Sequence, residues 1–256
     1  MKKSDIIIKQ VPLFLEWYES SYDKENGVYY GGVALPKYTD ELCIDIYDDY
    51  LFNFKKDDFE KTGRHVLDIG GSSRAMRELG KFFVNFAMYK CKSNNYYEII
   101  ENVCASDENR TANLIVYRKG NISRILFSLA AILNGCKNIG IEHIGKQMCK
   151  MMCDKKTTRI DLMLKSFKSR ACKKEKWIEE GIIEPKYMNE LIIDVIAGTN
   201  NQTVLISGTD RAIKEFGMYL VNFSLYTSLW DDFHEHFDGI RGYNYRKNVN
   251  IIVRKS

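Results

Sequence analysis

One motif occurs twice in this chain, and the repetition restricts the fold more than any other feature of the sequence. Gly71-Ser-Ser-Arg-Ala-Met-Arg-Glu-Leu-Gly-Lys-Phe-Phe-Val-Asn-Phe-Ala-Met-Tyr89 aligns without gaps on Gly208-Thr-Asp-Arg-Ala-Ile-Lys-Glu-Phe-Gly-Met-Tyr-Leu-Val-Asn-Phe-Ser-Leu-Tyr226, with nine of nineteen positions identical. The offset of 137 residues persists to Asn113-Leu-Ile-Val116 against Asn250-Ile-Ile-Val253. Upstream, Pro36-Lys37-Tyr38, Glu41-Leu42 and Asp45 match Pro185-Lys186-Tyr187, Glu190-Leu191 and Asp194 at an offset of 149. The two offsets differ by twelve, so the first copy carries a loop twelve residues longer between Tyr47 and His65. Two copies of one small unit are expected, over about residues 31–118 and 180–255.

Each element can then be read twice. Leu42 to Ile46 and Leu191 to Val195 are short and β-branched, as strands are, and His65 to Ile69 and Thr203 to Ile206 supply second strands. Gly198-Thr199-Asn200-Asn201 has the chemistry of a hairpin turn. A helix follows in each copy, capped by Ser72 or Ser73 and by Thr209 or Asp210. At about 100° per residue, Ala75, Met76, Leu79, Phe82, Phe83 and Phe86 share one arc, as do Ala212, Ile213, Phe216, Tyr219, Leu220 and Phe223. Gly80 and Gly217 sit at the edge of that arc, where a missing side chain lets a helix approach its neighbour. A last strand runs from Ala112 to Tyr117 and from Val249 to Val253. The expected fold is α+β: two tandem ββαβ units, in residues 1–120 and 180–256, joined by a basic, mainly helical connector over 121–179. Within the connector, Ile122 to Leu129 reads as a strand, and Ile141 to Cys153 and Arg159 to Ala171 have helical spacing.

Composition narrows the class. A hydrophobic fraction of 45% with 28% charged residues and only three prolines describes a globular chain, not a disordered one. No apolar run is long enough for a signal peptide or a membrane span, and seven irregularly spaced cysteines suit a reducing compartment. A cytoplasmic protein without membrane contact is expected. The net charge of +4 is concentrated between Lys146 and Lys176, where eleven Lys and Arg face three acidic residues.

Four features could carry chemistry. Val66-Leu-Asp-Ile-Gly-Gly-Ser72 resembles the first motif of S-adenosylmethionine-dependent methyltransferases, but the second copy loses the acid and one glycine, and the preceding strands read as a hairpin. The segment Asp231 to Asp238 holds His234 and His236, and Cys149 and Cys153 stand four apart with His143 nearby, yet neither set completes a metal site. The basic stretch 146–176 could bind nucleic acid, although it carries no recognition fingerprint. No Ser/His/Asp or Cys/His arrangement recurs in both copies, so a non-enzymatic role without cofactor or metal is expected. Finally, Arg74, Glu78 and Asn85 lie together on the helix side opposite the apolar arc, and Arg211, Glu215 and Asn222 repeat them. These six are candidates for contact with a protein partner.

The strand, glycine, Ser/Thr cap and amphipathic helix of Leu67 to Phe83 and of Ile206 to Gly217 resemble small α+β immunity proteins of bacterial polymorphic-toxin systems. The resemblance covers about fifty residues in each copy. It implies a cytoplasmic bacterial inhibitor that neutralises a cognate toxin domain by capping its active surface.

Overall fold

The computed structural model describes residues 4–23, 28–91, 96–105, 111–118, 150, 153–169, 180–197, 201–227, 233–241 and 248–255. Among these the fold is α+β and mostly sheet. The first half holds β1 (Ser4–Asp23), β2 (Val28–Val33), β3 (Leu42–Asn53), β4 (Asp58–Gly71), α1 (Ser73–Met88), β5 (Tyr97–Cys104) and β6 (Thr111–Arg118). The second holds β7 (Lys155–Ser169), β8 (Glu180–Ile182), β9 (Leu191–Ala197), β10 (Asn201–Gly208), α2 (Asp210–Leu225), β11 (His234–Arg241) and β12 (Asn248–Arg254). No helix among them is long and apolar enough to cross a membrane.

Two corrections follow. Each half is longer than ββαβ, because β5 and β11 stand between the helix and the last strand, while β1–β2 and β7–β8 precede the rest. The segment 159–169, expected as helix, belongs to strand β7: Ile160, Leu162 and Leu164 alternate with exposed Arg159, Asp161, Met163 and Lys165, the period of a half-buried strand. Residues 170–171, the expected strand 122–129, the helical stretch 141–149 and the turn residues 198–200 lie outside the described residues.

The halves are related by a pseudo-twofold. β1 and β7 pair antiparallel, and Pro12 stands opposite Asp161, its own counterpart at the 149-residue offset. The axis therefore passes through that pair. β2 and β8 flank them, giving the sheet order β2-β1-β7-β8. The other eight strands close a barrel in the order β10-β6-β5-β3-β4-β12-β11-β9. The parallel ladders that join the halves, β4 with β12 and β10 with β6, are extended. The parallel seams within each half are thin: β3 meets β5 at Cys43 and Cys104, and β9 meets β11 at Ile192 and Arg241.

The helix pair lies between sheet and barrel. One face of the barrel strands, including Leu42, Ile44, Leu67, Ile69, Val204 and Ile206, shares a core with Phe83, Phe86, Phe216 and Phe223. Each of these phenylalanines is almost fully buried, which is worth about 1.5–3 kcal/mol apiece before entropy is counted. On their other side Val84 and Val221 pack on Val11, Leu13, Leu15, Leu162 and Leu164 of the four-stranded sheet. The helix ends are satisfied alike in both halves. Ser72 and Thr209 accept from Ala75 N–H at 3.2 Å and Ala212 N–H at 3.3 Å, and Arg118 and its counterpart Lys255 donate to the carbonyls of Tyr89 and Tyr226.

Candidate functional site

In a duplicated fold the differences between copies locate what one copy does alone. The largest difference is the twelve-residue insertion, which builds no loose loop: it prolongs β3 and β4 into a projecting hairpin. After an irregularity past Asp48 the ladder continues through Tyr50 with Lys61, Leu51 with Glu60, Phe52 with Phe59 and Asn53 with Asp58. The tip is tied by Asn53 Nδ2 donating to Glu60 at 2.9 Å and by Lys55 N–H donating to Asn53 Oδ1 at 3.0 Å. Its base is held by Lys61 with Asp48 at 2.6 Å and by Thr62 Oγ1 with Asp49 at 2.9 Å.

This arm carries aromatics into solvent. The Phe52 ring meets Phe54 and Phe59 edge to face, with centroids at 5.1 and 5.2 Å. Phe54 is 89% exposed, Leu51 69% and Phe59 64%. Exposed apolar side chains are ordinary when scattered, but here Leu51, Phe54 and Phe59 stand together on one projecting element.

Next to the arm, β3, β4 and β12 present a charged patch. Asp45 and Asp68 are cross-strand partners, and Arg254 reaches both, with Nε 3.0 Å from Asp68 and a terminal nitrogen 3.7 Å from Asp45. Cys43 Sγ donates to Asp45 at 3.3 Å. Burial raises the Asp68 carboxyl above its ordinary pKa, with Arg254 pulling the other way. The second copy keeps the acid of Asp45 as Asp194, but has Leu205 for Asp68 and Tyr117 for Arg254. On the adjoining strand His234 and His236 stand on one face, rings 4.8 Å apart, where the first copy has Tyr97 and Ile99. Among the described residues no group of three or more metal-ligating side chains comes together.

The six helix residues singled out by the wheel make contacts within the chain. Arg74 pairs with Glu41 and lies 4.6 Å over the Tyr38 ring, and Arg211 does the same with Glu190 and Tyr187 at 4.5 Å. Both tyrosines adopt a left-handed backbone, with φ of 59° and 62°, unusual for so bulky a residue, and each sets its ring under the arginine of its own copy. Glu78 faces Lys81 at 3.6 Å, and Glu215 accepts Lys186 N–H at 3.4 Å. Asn85 donates to the Glu16 carbonyl and Asn222 to the Lys165 carbonyl at 2.7 Å, so each ties its helix to the four-stranded sheet. Arg74 and Arg211 stay mostly exposed.

The remaining motifs have equally local surroundings. The methyltransferase-like string ends a strand antiparallel to β3, and a Cβ on Gly71 would stand 2.6 Å from the Glu41 carbonyl oxygen, a close backbone approach within the fold. Of the basic stretch, Lys155 faces Glu16, Lys156 faces Glu19 and Arg159 faces Asp161. The sequence reading placed the arm's extra length as a loop between Tyr47 and His65 and missed that it is a paired hairpin with aromatics at its tip. Its signal is the polar tetrapeptide Lys55-Lys-Asp-Asp58, flanked by Tyr50, Phe52, Phe54 and Phe59. No protein-family model matches the chain, and no curated protein or solved structure matches it either.

Proposed function

We propose that this chain is a non-enzymatic protein-binding inhibitor that engages its partner through the β3–β4 arm. The aromatic tip, built in one copy and absent from the other, carries that reading. Aromatic side chains held on a rigid element supply binding energy at low cost in conformational entropy, and they dominate protein interfaces for that reason. The charged patch of Asp45, Asp68 and Arg254 lies beside the arm and would give the interface its electrostatic register. The specific form we propose is a bacterial immunity protein that neutralises a cognate toxin in the cytoplasm, on the resemblance of its repeated strand, cap and helix.

The reading requires a toxin gene immediately upstream, and the test is co-expression with the toxin domain encoded there; absence of such a gene would count against the immunity role. The intact chain should protect the host. A variant in which residues 49–64 are replaced by the Gly-Thr-Asn-Asn of the second copy should keep its melting temperature and lose protection, because the second copy builds β9 and β10 without an arm. Full protection by that variant would sink the arm as the binding element. Absence of protection by the intact chain would sink the immunity role. A rival enzymatic reading, through Asp68 to Ser72, makes a different prediction: calorimetric binding of S-adenosylmethionine that is lost in Gly70→Val with Gly71→Val.

A further inference from the structure

Both copies build the same carboxylate site, and one of them holds a cation in it. In the first copy the Lys150 ammonium lies 2.6 Å from Glu98 and 5.8 Å over the Tyr18 ring. The same carboxylate accepts from Tyr96 Oη at 2.5 Å and from Val33 N–H at 3.1 Å. Gly32 makes the room: a Cβ there would stand 2.4 Å from the Glu98 carboxylate and 3.1 Å from Lys150 Cε. Tyr96, Glu98 and Lys150 are all buried.

The walls of that site recur in the second copy at the offsets of the repeat, with Phe167 for Tyr18, Gly181 for Gly32, Ile182 for Val33, Phe233 for Tyr96 and Glu235 for Glu98. The geometry recurs with them. Glu235 accepts Ile182 N–H at 3.3 Å, and a Cβ on Gly181 would stand 3.1 Å from its carboxylate and 3.0 Å from the Phe167 ring, which here takes the side of the glycine that the lysine stem takes in the first copy. The cation does not recur. Among the described residues Glu235 has no ion-pair partner, and Phe233 lacks the hydroxyl that Tyr96 gives to Glu98. Phe233 and Glu235 are also partly exposed where Tyr96 and Glu98 are buried, so the second site is open to solvent. Burial holds the Glu235 carboxyl above its ordinary pKa against the pull of the Ile182 N–H, and Glu184 adds to the rise. Two carboxylates acting on one half-buried spot favour a cation there over an anion.

We infer that the Glu235 site binds a primary alkylammonium group from outside the chain, in the role that Lys150 plays in the first copy, with the ammonium on Glu235 and the alkyl stem along the Phe167 ring. The site shares no residue with the arm, and binding there stands or falls independently of the toxin-neutralising role.

The experiment uses the full chain labelled with 13C and 15N, titrated with n-butylammonium chloride at neutral pH and constant ionic strength. Saturable shifts of the Glu235 carboxyl carbon and of the Gly181 and Ile182 amides are expected at millimolar concentration, the affinity open to so small a ligand. Glu235→Gln keeps an acceptor for the Ile182 N–H and should fold; it should weaken binding about tenfold or more, the range of a hydrogen bond to a charged group. The uncharged n-butanol should leave the three signals unmoved. A lysine side chain and a free amine share this chemistry. Binding of Nα-acetyl-lysine methylamide as tight as that of butylammonium assigns the site to a lysine of a bound polypeptide, and its exclusion assigns the site to a free amine. No saturable shifts, equal affinity in Glu235→Gln, or equal binding of n-butanol would each overturn the proposal.

Discussion

Gly80 and Gly217 meet backbone to backbone where the helices cross: a Cβ on Gly80 would stand 2.6 Å from the Gly217 carbonyl oxygen, and one on Gly217 2.7 Å from that of Gly80. The obstructing atoms are main chain and cannot rotate away. Gly80→Ala or Gly217→Ala gains about 1 kcal/mol of helix propensity, but it forces the helices apart across two cores, and overpacking costs about 1–3 kcal/mol or more. Net destabilisation is expected in denaturant melts of either variant. The double variant should lose less than the sum, because the first substitution already opens the space the second needs.

Asn85 and Asn222 are amide ties from helix to sheet. The Glu16 and Lys165 carbonyls also accept Ala34 N–H at 2.9 Å and Ile183 N–H at 3.2 Å, so replacing either Asn with Ala removes one of two hydrogen bonds, at a cost of about 0.5–1.5 kcal/mol. Asn85, 2% exposed, should cost more than Asn222, which is only partly buried. Thermal melts that move by less for Asn85→Ala than for Asn222→Ala would contradict this ordering. A loss of partner affinity with both melts unmoved would instead return the two residues to the interface.

Glu98 and Lys150 form a buried ion pair at 2.6 Å, each about 5% exposed, and the same carboxylate accepts from Tyr96 Oη at 2.5 Å and Val33 N–H at 3.1 Å. Lys150→Met leaves that charge uncompensated and should destabilise by about 3–5 kcal/mol. Adding Glu98→Gln keeps an acceptor for Tyr96 and Val33, removes the charge, and should recover a large part of the loss. A double variant as unstable as the single would show that packing, not charge, dominates there.

Glu235 is the counterpart of Glu98, and its carboxylate accepts Ile182 N–H at 3.3 Å. Burial raises its pKa, the Ile182 N–H opposes, and Glu184 adds to the rise. The folded state thus binds this proton more tightly than the unfolded state. Its contribution to stability is present below the ordinary glutamate pKa and is lost as pH rises through the raised value. Glu235→Gln keeps the acceptor, so it should raise the melting temperature at neutral pH and lose that advantage in acid. An equal shift at both pH values would contradict the assignment.

The repeated helices were legible in the sequence to within two residues at either end, because cap, arc and glycine recur together and each constrains the others. Strands β3, β4, β9 and β10 were legible as cores and not as lengths. The β5 and β11 strands were not: between Tyr97–Cys104 and His234–Arg241 only Glu98 and Glu235 agree, and irregularities at Ile100–Val103 and Phe237–Ile240 break the alternation that marks a strand. Strand β7 was misread because Leu162, Leu164 and Phe167 fit a helical count as well as a strand count over so short a window. The arm was recognised as extra length, but whether extra length is loop or ladder depends on its cross-strand partners, and those become visible only in three dimensions.

The Pro12–Asp161 pairing has a consequence for how the two halves share labour. A twofold that carries a strand onto its own partner is the geometry of an isologous interface, in which one surface patch is complementary to itself. Two separate identical chains could meet through the same ladders, but every feature would then come in duplicate. Joining the halves in one polypeptide fixes their ratio at one to one and releases each from resembling the other. One half could grow an arm while the other left its carboxylate site open, and neither change had to be tolerated twice.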